Sequence, residues 1–438
     1  MSRANLSMRR FIMWFSMSFL SYIVVAAVLL SPQFSPTGDI GPAEILRADQ
    51  LLLPILILLL MLVHVDAIHI PVNRVSLGLV AITVVISVSL MLNTLLFALR
   101  PTIGDTFDVL IWSTYALTFI IIGGNINPKI ARRCLKLSLV VTLLIAVFGL
   151  FQSVGNQFAL ELLRPVYTER SIRDVSISPT ATTSNPNTLG KLVLIPLFVF
   201  FALFYRSLVT KNGQQNPAHS VIFACLLAMF FSITIISDSR SALVGAVVGF
   251  CVIGAVLIFS QLGDNSRRRL IIGGTTVGLG LSLYLSIFVF EIGRIGNLQQ
   301  ILQDRSLQIR FNRWRQILPF ILDRPLIGHG PAPQFRKSLK FDYIDSGVLS
   351  WWYHYGIAGV LCYLYLALGA IQLGIRGLRN SNLFRDQPVL WSCSVAITGW
   401  FSGTLVVWTV AGVPQSRRVF TFALIVATFI MANLIEST

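Results

Sequence analysis

Arg240 lies in the run Asp238-Ser239-Arg240-Ser241-Ala242, a polar break between two apolar stretches. A guanidinium at such a boundary either snorkels to lipid headgroups or grips an anion. Its planar fork matches phosphate oxygens bidentately and stays charged at every relevant pH. Arg310 is a second candidate, and a pair of such arginines suits a diphosphate. Asn185-Pro186-Asn187 opens another apolar stretch, where it reads as a helix-starting turn. Lys191 follows Asn187 by one turn, and an ionisable residue there is a site candidate. Gly328-His329-Gly330-Pro331 is a turn by default, or a set of N–H groups aimed at an anion. Asp345 ends a basic segment and begins an apolar one. It can cap a helix, accept a hydroxyl proton, or do both. The histidines and the five cysteines show no ligand spacing, which predicts no metal and no cofactor.

The elements that must hold these groups are membrane spans. Hydrophobic residues make up 55% of the 438-residue chain and charged ones only 12%, against about 25% charged in a globular domain. Apolar runs long enough to cross a hydrocarbon core recur along the sequence. They predict an all-α polytopic bundle of about twelve transmembrane helices, near 11–30, 49–65, 75–98, 107–123, 135–155, 187–208, 219–237, 239–260, 269–292, 346–373, 388–410 and 419–434. Spans one to nine occupy 1–292, a large basic loop 293–345, and the remaining spans 346–438. The first run is too long for a signal peptide and reads as an uncleaved span. The formal charge of +16 first serves topology rather than nucleic-acid binding. Sixteen Lys and Arg on one side against eight in the short segments opposite put both termini in the cytoplasm.

The loop breaks that pattern. It is external yet carries nine Lys and Arg, among them Arg310, Arg313, Arg315 and Arg324. Leu307, Phe311, Trp314, Leu318 and Ile321 recur within it at helical spacing. The spacing predicts an amphipathic helix with that stripe turned to the membrane or the bundle. Arg310 and Arg315 would flank the stripe, with Arg313 further out.

Taken together these motifs resemble the O-antigen ligase and O-antigen polymerase superfamily. Ser239-Arg240-Ser241-Ala242 is similar to the family's external Ser-Arg-Ser element, and Asn185-Pro186-Asn187 to its Pro-Asn element. Arg310-Phe311-Asn312-Arg313-Trp314, followed by Pro325 to Gly330, resembles its Arg-x-x-x-Trp and Pro-x-x-Gly-x-Gly run. Asp345 to Gly356, then Gly359, resembles the opening of the following helix. The likeness runs from about residue 180 to 375.

It implies a GT-C-like enzyme of the bacterial inner membrane whose active site faces the periplasm. Such an enzyme takes glycan from an undecaprenyl-diphosphate carrier without a metal. Asp345, Arg240 and Arg310 would be catalytic. Asn187, Lys191, Arg313, Trp314, Arg315, Gly328, His329 and Gly330 would bind substrate. Lipid A core ligases of the family usually carry His where this chain has Asp345, and polymerases often Asp. The expectation is therefore a polymerase joining O-antigen or exopolysaccharide repeat units, with a flippase and a chain-length regulator as partners. A ligase acting on another acceptor is the nearest alternative. A lipid-linked glycan flippase or transporter is an alternative of another class.

Overall fold

The computed structural model describes residues 20–30, 48–63, 68–155, 181, 186–209, 217–237, 239–259, 274, 305–331, 344, 346–410 and 417–436. The expected span near 269–292, with Asp238, Asn185 and Asp345, therefore lies outside the described residues, residue 274 excepted. Among the described residues there is no strand, and nine helices are long and apolar enough to cross a membrane. The chain is an all-α polytopic membrane bundle.

In chain order the helices are α1 (Leu20–Leu30), α2 (Ala48–Val63), α3 (Arg74–Phe97), α4 (Ile103–Leu117), α5 (Pro128–Ser153), α6 (Pro186–Val209), α7 (Pro217–Ile236) and α8 (Arg240–Phe259). Then come α9 (Arg305–Asp323), α10 (Gly347–Arg379), the short α11 (Ser381–Asp386), α12 (Pro388–Val410) and α13 (Arg417–Glu436). α4 continues through a π turn, Thr118–Ile122, to Asn125. Most expected spans are met within a few residues. α5 starts earlier than its apolar run, so Lys129, Arg132 and Arg133 stand on a helix rather than in a loop.

Local chemistry sets several ends. Asn73 caps α3 by accepting from Val75 N and Ser76 N, and Thr102 and Asp105 form a capping box on α4. Pro128 follows the cap Asn127 at the start of α5, where its missing N–H costs nothing. Arg418 is buried at the start of α13 and donates to the carbonyls of Val28 and Leu29. It thereby satisfies the orphan C-terminal carbonyls of α1.

α10 runs through the middle of the bundle, packed between α3 and α12, and α12 also packs on α6 and α8. The α8–α12 contact needs small residues. A Cβ on Gly403 would stand 2.2 Å from the Gly245 carbonyl oxygen. α10 itself breaks at Gly356, whose φ of 70° and ψ of −174° are non-helical. A Cβ there would lie 2.0 Å from the Leu326 carbonyl oxygen. Gly356→Ala is therefore expected to cost about 2 kcal/mol or more and to lower the thermal midpoint of the purified protein. Gly155 also has positive φ, but with nothing within 4 Å. Gly155→Ala should give a clearly smaller shift, and equal shifts would mean that the clash at Gly356 is absorbed.

Candidate functional site

One end of the bundle holds the candidate residues on the spans. It holds the last turns of α1, α3, α5, α7 and α12 and the first turns of α4, α6, α8, α10 and α13, as alternating spans require. Pro186 begins α6, and Lys191 stands on its second turn, 6% exposed. Gly190 makes the site close-packed: its Cβ would lie 2.7 Å from Ser237 Oγ and 2.8 Å from Ser239 Cβ. The first turns of α6 thus cross the break between α7 and α8 in contact. Arg240 is the first residue of α8, half-buried, and next to that crossing. Ser239 Oγ caps α8 through Ala242 N at 3.3 Å and sits 3.3 Å from Ser241 Oγ. Trp400 Nε1 donates to the Lys191 carbonyl at 3.4 Å, tying α6 to α12.

α9 brings the other cation. Its inward face is not the expected stripe. Ile317 and Ile321 are buried and Arg310, Trp314 and Arg324 half-buried, whereas Phe311 and Leu318 are 49% and 43% exposed. The Leu307 side chain lies outside the described residues. The buried face therefore runs through Arg310, Trp314, Ile317 and Ile321 to Arg324 just past the helix end; it keeps Trp314 and Ile321 of the expected stripe and has Arg310 and Ile317 in place of Phe311 and Leu318. Arg310 lies on that face rather than at its edge, and its charge reaches Lys191. Arg313 and Arg315 are exposed. Arg315 is turned about 140° from Arg310, so α9 does not bring it to the Lys191 side. Trp314 shares the Arg310 face, and its buried indole N–H has no hydrogen-bond partner among the described residues. Asn187 is exposed on the first turn of α6.

Beneath α9, Ile317 and Ile321 pack with Ile344 and Tyr353 in a small core of their own. Ile344 ends the chain's approach to α10, and Ser346 begins the helix. Ser346 Oγ accepts from Leu349 N at 3.3 Å and donates to the Thr409 carbonyl at 2.7 Å. The N-cap of α10 is thus Ser346, not Asp345, because the chain enters the helix one residue later than its apolar run suggests. Both neighbours of residue 345 are anchored, one under α9 and one on α12. Gly347 presses on α12 too; its Cβ would fall 2.0 Å from Trp408 Cδ1.

Gly328, His329 and Gly330 hold the break in α10. Their N–H groups donate to Arg324 O, Tyr353 O and His354 O at 2.9, 2.8 and 3.0 Å. Ile357 N returns a bond to Pro325 O at 2.9 Å. The default reading as a turn therefore describes these residues, and their N–H groups do not form an anion cradle: Gly328 N bonds within the turn, and His329 N and Gly330 N go to carbonyls freed by the helix break. His329 is buried against Tyr353, and its Nε2 is 2.7 Å from the Phe320 carbonyl, an anchor for the turn.

Sequence reasoning missed two groups at this end. Asp108 is buried on α4 and accepts from the Tyr355 hydroxyl at 3.4 Å. Asn93 is buried on α3, and its carbonyl accepts from Arg324 at 2.7 Å. Each is a polar residue inside an apolar run, which was the available signal. Among the described residues no three His, Cys, Asp or Glu side chains gather as a metal site needs.

Residues 223–364 match the family model described as O-antigen ligase. The match takes in most of α7, all of α8 and α9 and the first half of α10, so it holds Arg240 and Arg310 but neither Asn187 nor Lys191. No curated protein matches the chain. The match supports the O-antigen ligase and polymerase superfamily that the motifs resemble.

Proposed function

We propose that this membrane protein, matched over 223–364 by the O-antigen ligase family, joins undecaprenyl-diphosphate-linked glycan repeat units at the periplasmic face of the inner membrane. The observation that carries the reading is the meeting of cations from separate elements at one end of the bundle. Buried Lys191 sits on the turns of α6 that pack on Ser239, beside Arg240 of α8, and Arg310 stands half-buried on the inward face of α9, within electrostatic range of Lys191. Like charges held together in a poorly solvated site favour an anionic ligand, and guanidinium forks fit a diphosphate. The arginines stand where the leaving group's charge develops.

In the reaction the acceptor sugar's hydroxyl oxygen bonds to the anomeric carbon of the donor glycan. The bond from that carbon to the diphosphate breaks, and its electron pair leaves with undecaprenyl diphosphate. Asp345 takes or shares the hydroxyl proton and orients the acceptor. The cations offset the leaving charge without a metal. A translocation path would set its ionisable groups near mid-depth, whereas these stand within the first two turns of their helices. That placement favours a transferase over a flippase. The family description itself favours the ligase as the second reading; Asp345, where lipid A core ligases carry His, favours chain growth.

The test uses purified protein given the lipid-linked repeat unit and excess chelator. The expected product is a ladder of two or more repeats on one carrier. No ladder, with transfer of single chains to a lipid A core acceptor, would make the protein a ligase. Activity lost to chelator and restored by a divalent cation would end the metal-free mechanism.

A further inference from the structure

The inward face of α9 carries Arg310, and Arg324 follows the helix directly after Asp323. The helix axis from Arg310 to Asp323 measures about 20 Å at 1.5 Å per residue, so α9 links the position of Arg310 to that of Arg324 beside α3. The two arginines are held differently. Arg310 is half-buried and within electrostatic range of Lys191, in the place proposed for the diphosphate. Arg324 is gripped by protein. Its guanidinium donates to Asn93 Oδ1 at 2.7 Å and lies over the Phe97 ring, 3.5 Å from its centroid.

Asn93 uses the other end of its amide as well. Nδ2 donates to Ser89 O at 2.8 Å and to Gly328 O at 3.1 Å. Ser89 Oγ donates to Ile327 O at 2.6 Å. Asn93 and Ser89 near the end of α3 therefore hold both the residue that follows α9 and the turn that fills the α10 break. A buried amide with its donor and acceptor both engaged has a fixed orientation. Pro319 lies inside α9, but the helix is continuous from Arg305 to Asp323, so a change of tilt where it meets Arg324 becomes a displacement at Arg310.

We propose that Asn93 and Arg324 are positioning residues: their lock sets the height and tilt of α9, and with it where Arg310 stands against Lys191 and where Ile344 leads the chain into α10. The inference rests on the reading of Arg310 as a diphosphate ligand. Neither Asn93 nor Arg324 touches substrate in it. A plain structural anchor would lower stability without acting through Arg310.

The experiment has two arms. In the first, full-length Asn93→Ala and Arg324→Gln are assayed at equal membrane abundance, alone and combined with Arg310→Lys. Each single lock variant should lose roughly ten- to a hundredfold in transfer, the scale of a small misplacement of a reacting or charged group. Adding either to Arg310→Lys should cost nothing further, since a misplaced ligand has little left to lose. Losses that multiply, or near-normal activity of both lock variants, overturn the proposal. If Asn93→Ala fails to accumulate, Arg324→Gln carries this arm, because it leaves α3 unchanged.

The second arm needs no substrate. Spin labels replace Gln308 on α9 and Leu95 on α3, both exposed, and the distance between them is measured by pulsed electron resonance. The unmutated lock should give one narrow distribution, and both lock variants a broadened or shifted one. An unchanged distribution overturns the lock. Near-normal activity of Arg310→Lys alone defeats the diphosphate reading instead, with the distance arm still judging the lock.

Discussion

Arg310→Lys is expected to lower glycan transfer on the order of a hundredfold, the usual scale for removing one donor aimed at developing charge, while the protein still reaches the membrane. Lysine keeps the positive charge that α9 presents to Lys191, so the electrostatics of the folded site change little. What is lost is the planar fork that can hold two phosphate oxygens at once. Arg240→Lys should behave alike. It leaves the charge of the α7–α8 junction, and hence topology, as it was. Arg315→Lys, on an exposed part of α9, is the matched control and should stay near normal. Initial rates on the lipid-linked donor, normalised to membrane abundance, decide the matter. Two near-normal Lys variants would remove the diphosphate clamp, and equal losses at Arg315 would make the effect one of general charge.

Asp345→Asn should leave abundance unchanged and cut chain growth by roughly a hundredfold, the scale of a positioned proton acceptor. Capping makes the experiment decisive. Ser346 already accepts from Leu349 N and donates to the Thr409 carbonyl, so α10 keeps its start whatever replaces Asp345. Asparagine retains the size of the side chain and loses the carboxylate. Ser346→Ala is the reverse probe: it should cost about 1 kcal/mol of stability with only a modest fall in transfer. A gel ladder of the glycan reads both. Long chains at normal levels from Asp345→Asn would leave the residue without a chemical part and remove the argument for polymerase over ligase. Asp345→His, which imitates the ligase residue under the resemblance, should not restore long chains.

The helices were legible because each span is a long apolar run between polar breaks, as at α12 (Pro388–Val410). The phase of α9 was not. Trp314 and Ile321 of the expected stripe do face inward, but Phe311 and Leu318 lie on one side of them and Ile317 on the other, so periodicity alone admits either flank as buried. Two arginines stand on the face that proved to be buried, where composition argues for solvent. The α10 cap was misplaced by one residue because Asp345 and Ser346 are both good caps, and only the contact with Thr409 separates them. The Gly328–Gly330 turn was recognisable as a turn, but its partners, Asn93 and the broken stretch of α10, are not its neighbours in sequence. The Asn93 bond alone spans 235 positions. A lone asparagine in an apolar run announces that it needs a partner without saying which.

The clasp between Arg418 and α1 has a consequence in time. Residues 28 and 418 are 390 positions apart. At about 5–20 residues per second of synthesis, the last carbonyls of α1 wait on the order of tens of seconds for the guanidinium that covers them in the finished bundle. Through that interval headgroups, water or the insertion machinery must serve as their partners. α1 is among the first helices made, yet it reaches its final hydrogen bonding only when α13 arrives. α1 and α13 are thus fastened to each other only after the spans between them have been made.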